Sequence, residues 1–70
     1  MYKTLVLSSV TYAHKAQSIL SRAGIRSTIM RSAAVRAVKG CAYGLRPQAE
    51  QVDRAAELLA AQSISVLAIV

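Results

Sequence analysis

Two segments of the chain share one order of apolar and polar positions. The first opens with the apolar run KTLVLS (3–8), which predicts a strand. Apolar residues spaced three and four apart then predict an amphipathic helix, which Ser9 or Thr11 is suited to cap. Gly24 followed by Ile25 predicts a Schellman ending for that helix. The apolar positions of the helix are Ala13, Ala16, Leu20 and Ala23.

The same order returns in the second segment. Further strands are predicted over 26–31, 43–46 and 65–70, and the stretch 32–42 is predicted to be a basic loop or to carry a short helical turn. A second helix is predicted to start at Pro47, because the fixed φ of proline suits a first helical turn. Its apolar positions are Val52, Ala55, Ala56 and Leu59.

An offset of 39 residues superposes the two segments. The matched pairs are Val6 with Leu45, Ala13 with Val52, Ala16 with Ala55, Leu20 with Leu59 and Ile25 with Ile64. Each half is therefore a βαβ unit, and two interleaved units form a split βαβ sheet. We predict one α+β domain over 1–70, a ferredoxin-like sandwich (βαββαβ) with two helices on one face of a four-stranded antiparallel sheet.

The other face of such a sheet is normally open, and its strands should alternate between apolar and polar residues. Here 5–7 and 66–70 are continuously apolar. The pattern predicts apolar area on the open face, which a homodimer or another docking partner could cover. Edge strands too long for their place in the sheet explain the same pattern equally well.

Composition narrows the functional classes. The 54% hydrophobic content indicates a folded protein, and no run approaches the roughly 18 apolar residues of a membrane span. The net charge is +6, with eight of nine Lys and Arg residues before Pro47 and all three acids after it. An anionic partner would therefore meet the first half, although a solvated basic surface accounts for the charge as well.

Cys41 is the only cysteine, so an intramolecular disulfide is impossible. No CxxC motif or Cys/His cluster predicts a metal site, no cofactor is expected, and a reducing, cytoplasmic location fits a lone thiol. Gly40 would allow a bend, while Arg31, Arg36 and Lys39 bring positive charge that favours a thiolate. The alternative is that Cys41 is a small buried hydrophobe.

The predicted topology also places this cysteine relative to the helices. A hairpin between the second and third strands would hold Cys41 at the end of the sheet opposite the helix N-termini. The cations of the loop, and not the helix dipoles, would then have to activate the sulfur.

The segments AGI (23–25) and GCAYGLR (40–46), with a helix after Pro47, resemble a family of small bacterial selenium or sulfur carrier-like domains. In that family a Cys, usually followed by Gly, shortly precedes a strand with Leu and a basic residue; here Ala42 follows the Cys. The resemblance implies that Cys41 holds a persulfide or selenopersulfide. Its implied partners are donor and acceptor proteins, and it would be a carrier rather than an enzyme with its own turnover. The supporting residues would be Arg36, Lys39, Gly40, Tyr43, Gly44 and Arg46.

Two other classes compete with a carrier. A basic ferredoxin-like sheet can bind RNA by stacking bases on aromatic residues, for which Tyr43 and Tyr2 are the candidates. The absence of Phe and Trp and of an aromatic run argues against nucleic acid. An interaction module that dimerises through the open sheet face is the third class. His14 falls on the polar side of its helix and is predicted to be a surface residue.

Overall fold

The structure is a computed structural model that describes residues 3–70. Its strands are β1 (Leu5–Leu7), β2 (Ser27–Met30), β3 (Tyr43–Pro47) and β4 (Ala68–Ile69). Its helices are α1 (Val10–Arg22), α2 (Ala33–Val38) and α3 (Val52–Ala61), with a 3₁₀ turn at Ala49–Gln51. None of the helices in this part of the chain is long and apolar enough to cross a membrane.

The strands form one antiparallel sheet in the order β2-β3-β1-β4. In the central pair Leu5 lies opposite Leu45 and Leu7 lies opposite Tyr43. The short ladder of β4 is extended by hydrogen bonds between the backbones of Thr4 and Val70 at 2.8 and 2.9 Å. The predicted α+β architecture with its four-stranded antiparallel sheet is confirmed.

The main core lies between the sheet and the two long helices. Leu5, Leu7 and Leu45 contribute the sheet side of this core and are fully buried. The helices and their exits contribute the matched residues of the two halves, which are all buried: Ala13, Ala16, Leu20 and Ile25 from the first and Val52, Ala55, Leu59 and Ile64 from the second. Because each buried Leu or Ile stabilises the fold by roughly 1.5–3 kcal/mol, these pairs form the energetic centre of the domain.

Both long helices end in the same way. Gly24 and Ser63, which the 39-residue offset matches, have φ values of 81° and 60°. After each of them an isoleucine amide donates back to a leucine carbonyl, Ile25 to Leu20 at 2.8 Å and Ile64 to Leu59 at 2.9 Å. This is the Schellman geometry, and it turns the chain sharply back toward the sheet. At the start of α1, Ser9 is the capping residue of the two predicted candidates.

Two details of the predicted second half are wrong. Pro47 is the last residue of β3, opposite Ser27, and the helical conformation begins only at Ala49. The pairing of Val6 with Leu45 also fails, because these residues lie on opposite faces of the sheet. The connection from β3 to the 3₁₀ turn is one residue shorter than the connection from β1 to α1. The helices of the two halves therefore match at the 39-residue offset, whereas the strands match at a different offset.

The third helix, α2, lies on the sheet face opposite the main core. There Val35 forms a second buried cluster with Val6 and Ala42, against which Ala68 packs. A Cβ added to Gly44 would lie 2.8 Å from Cγ2 of Val35, so only glycine lets the helix approach this closely. The face predicted to be open is therefore covered at its centre. Exposed apolar side chains remain along and beside β4, at Leu67, Ile69 and Val70.

Candidate functional site

Cys41 lies in a tight turn between α2 and β3. The amide of Ala42 donates to the carbonyl of Lys39 at 3.0 Å, which closes the turn around Gly40 and Cys41. The Cys41 side chain is exposed, whereas Ala42 after it is fully buried. Because unreactive cysteines are usually buried, this exposure excludes the interpretation of Cys41 as a small core residue.

Arg31 fixes a positive charge beside this turn. Its guanidinium donates a hydrogen bond to the carbonyl of Gly40. The same guanidinium lies over the ring of Tyr43, with 5.1 Å between its central carbon and the ring centroid. At an exposed site such a cation–π contact contributes roughly 0.5–1 kcal/mol. Two contacts thus hold the cation against residues on either side of Cys41.

Two more cations precede the thiol on the chain. Arg36 belongs to the last turn of α2, and Lys39 is its C-cap, and both side chains are exposed. The three acids of the chain lie in the 3₁₀ turn or in α3. The segment that carries Cys41 is therefore positively charged. Within residues 3–70 no group of His, Cys, Asp or Glu is arranged to hold a metal ion.

The other predicted site residues occupy different places. Arg46 is half-buried near the far end of β3, about 10 Å from Tyr43 along the strand at roughly 3.3 Å per residue. Gly44 lies in the middle of the sheet under α2. Gly40 is in the turn, but its φ is not positive and its surroundings are open, so the bend does not require glycine. The structure brings Cys41 together with Lys39, Gly40 and Tyr43. It also brings in Arg31, one of the three cations predicted to lie near the sulfur.

The predicted relation of the turn to the helix N-termini is wrong for α1. Since β1 and β3 are antiparallel, the end of β1 at Leu7 meets the start of β3 at Tyr43. Helix α1 begins just after β1, so its N-terminus lies at the same end of the sheet as the Cys41 turn. The N-terminus of α3 follows the other end of β3 and lies opposite, as predicted.

Tyr43 is placed unfavourably for stacking on bases. Its half-buried ring packs against the main core on the side of α1 and α3, and Arg31 lies over it. The RNA-recognition scaffold instead presents aromatic rings on the sheet face free of helices. The second candidate, Tyr2, lies outside the described residues.

Sequence reasoning left α2 undecided and missed its contact with the sheet. A signal was available, because Ser32 followed by an alanine-rich stretch is typical of a capped helix. In the structure Oγ of Ser32 accepts a hydrogen bond from the amide of Val35 at 3.3 Å. The closeness of Val35 to Gly44 is a tertiary contact that no local pattern reveals.

Comparison of the chain with protein-family models, with curated proteins and with solved structures finds no match.

Proposed function

We propose that the protein is a sulfur or selenium carrier in which Cys41 holds a persulfide or selenopersulfide for delivery to an acceptor protein. The observation that carries the proposal is an exposed thiol in a tight turn beside a cation held by two contacts. The protein would act in a reducing compartment such as the cytoplasm, where a lone thiol stays free. It would have no turnover of its own.

Loading is a displacement at sulfur. The Cys41 thiolate attacks the outer sulfur of a persulfide on the donor, the donor's S–S bond breaks, and the donor leaves as a thiolate. A new S–S bond now joins Cys41 to the transferred sulfur, so no external oxidant or reductant is needed. The same displacement with an outer selenium atom yields a selenopersulfide. Attack by an acceptor thiolate on the outer atom then regenerates the Cys41 thiolate.

The surroundings of Cys41 suit this exchange. Donor and acceptor sulfur groups are anionic during transfer, and the charges of Arg31, Arg36 and Lys39 attract anions. Ala42 is fully buried and anchors the turn on the sheet. The backbone next to the exposed Cys41 thiol is therefore held in place. A thiol on a small, supported turn can enter the active site of a larger enzyme.

The test is loading followed by intact mass measurement. The reduced protein is incubated with a cysteine desulfurase and cysteine, or with a selenium-releasing enzyme and selenocysteine. We expect one added sulfur or selenium atom, which dithiothreitol removes, and no addition to Cys41→Ser. No adduct on the wild type, or an equal adduct on Cys41→Ser, would contradict the proposal.

A homodimer is a second candidate, favoured by the exposed Leu67, Ile69 and Val70. Strand β4 is at the edge of the sheet, and an edge strand can pair with the same strand of another copy. Sedimentation should then show a dimer that Ile69→Lys dissociates and Cys41→Ser does not. A monomer at every concentration would contradict this second candidate.

A further inference from the structure

An open groove of about 680 Å³ lies at the end of the sheet away from Cys41, between α1 and the free edge of β2. Buried Ile25 and Pro47 supply its apolar part. A hydrogen bond of 3.0 Å from Nε2 of Gln17 to the carbonyl of Ser27 joins α1 to β2 along the groove. Its volume falls within the range of about 300–1,000 Å³ that is typical of small-molecule sites.

The polar lining of the groove is suited to anions. Arg26 and Arg46 both line it, together with His14, and no carboxylate side chain does. Hydroxyl groups come from both sides, from Ser18 and Ser21 on α1 and from Ser27 and Thr28 on β2. Guanidinium groups and hydroxyls together donate hydrogen bonds in several directions, as the oxygens of a tetrahedral anion require.

Ser27 gives an independent indication of a ligand. Its Oγ is buried, and no hydrogen-bond partner for it is found within residues 3–70. A buried polar group without a partner destabilises a fold by about 1–3 kcal/mol. Rotation of the Ser27 side chain toward the groove, which this residue lines, would let a ligand oxygen supply the missing partner.

We infer that this groove binds the phosphate group of a small phosphorylated molecule. A phosphate monoester has three terminal oxygens and so offers more acceptors to the donors of the groove than a carboxylate does. The apolar surface of Ile25 and Pro47 suits the carbon skeleton of the phosphorylated molecule. The described tyrosines line none of this groove, so it lacks the stacking surface typical of single-stranded nucleic-acid sites. The site lies apart from the Cys41 turn and does not depend on the carrier function.

The experiment is an NMR titration of the ¹⁵N-labelled full chain with glucose 6-phosphate and with AMP. Glucose and adenosine serve as phosphate-free counterparts. We expect saturable shifts of the amides of Gln17, Arg26 and Ser27, with the Gly40 and Cys41 amides unchanged. Loss of one charged hydrogen bond in Arg26→Gln should weaken binding about tenfold. Arg54→Gln removes the same charge from α3, outside the groove, and should leave the affinity within about twofold because exposed charges are screened.

Three results would overturn the inference. The phosphate-free compounds could bind as tightly as the phosphates, or Arg26→Gln and Arg54→Gln could weaken binding equally, which would mean attraction to net charge alone. Tighter, steeply salt-dependent binding of an oligonucleotide would instead assign the groove to nucleic acid.

Ser27→Ala separates ligand binding from folding. Removal of a buried hydroxyl without a partner should leave the melting temperature unchanged or raise it. The same change should weaken binding of glucose 6-phosphate or AMP severalfold, because the ligand loses one hydrogen bond. A lower melting temperature with unchanged affinity would show that the hydroxyl is structural and would overturn its assigned role.

Discussion

Gly44 determines how closely α2 can pack on the sheet. A Cβ at this position would lie 2.5 Å from Cγ2 of Thr4 and 2.8 Å from Cγ2 of Val35, closer than packed carbon atoms approach. Both neighbours are buried, so neither can move aside freely. The glycine that resembles part of a carrier motif in the sequence therefore has a packing role in the structure.

Gly44→Ala should lower the free energy of unfolding by about 1–3 kcal/mol, as overpacking of a core does. Gly40→Ala is the matched control, because its Cβ would meet nothing within 4 Å and its φ is not positive. That change should leave stability unchanged or raise it by up to about 1 kcal/mol. Urea unfolding of both variants measures the difference, and equal effects would contradict the packing of α2.

Ser63 adopts a backbone conformation that favours glycine, with φ at 60° where the matched Gly24 has 81°. Ser63→Gly should raise the free energy of unfolding by about 0.5–1 kcal/mol, because it removes the strain of a left-handed serine. The reciprocal change Gly24→Ser should lower it by about 1 kcal/mol. Thermal unfolding tests both, and the same sign for the two changes would be inconsistent with matched helix endings.

At the scale of elements, the sequence pattern predicts the features that depend on residues close together in the chain. The spacing of Ala13, Ala16 and Leu20 specified a helix and its buried side, and the Gly24–Ile25 pair specified its ending. The sequence does not decide whether α2 forms, because a six-residue helix gains its stability from contact with the sheet rather than from its own turns. The predicted start of the second helix at Pro47 is wrong because proline is equally compatible with the end of a strand.

The candidate site shows the same difference between features set by neighbouring residues and features set by tertiary contacts. The thiol and the neighbouring Arg36 and Lys39 were predictable because they adjoin on the chain. The contacts of Arg31 with Gly40 and Tyr43 were not, since they depend on where β2 ends relative to the turn. The carrier resemblance implies that Arg46 supports Cys41, but Arg46 lies near the far end of β3. Adjacency to a motif in the sequence does not show that a strand keeps the residue beside it.

The Arg31 contacts lead to a prediction for the loop as a unit. Arg31→Gln should slow persulfide loading of Cys41 about fivefold at low salt, because it removes the fixed cation that attracts the anionic donor group. Tyr43→Phe keeps the ring under the guanidinium and should leave the rate unchanged. Loading is followed by intact mass over time. Equal loading rates for Arg31→Gln and the wild type would show that the Arg31 cation does not assist loading.

At the scale of the whole molecule, the sheet separates two basic regions. The turn with Cys41 lies at the start of β3, while Arg46 and the groove beside β2 lie at its far end. The two βαβ halves supply the scaffold through their matched buried residues. The unmatched stretch 32–42 both covers the second face of the sheet and carries the thiol. Covering that face and presenting Cys41 are thus tasks of one segment.

The central claim is that the position of Cys41 makes it a carrier thiol. The most direct test compares the wild type with the double variant Cys41→Ser, Ser65→Cys, which moves the single thiol to another exposed position. Both are loaded from the same limiting persulfide donor, and the sulfur adduct is measured by intact mass over time. We predict that Cys41 loads about tenfold faster, since its basic surroundings favour the encounter with an anionic donor. Equal rates would contradict the account.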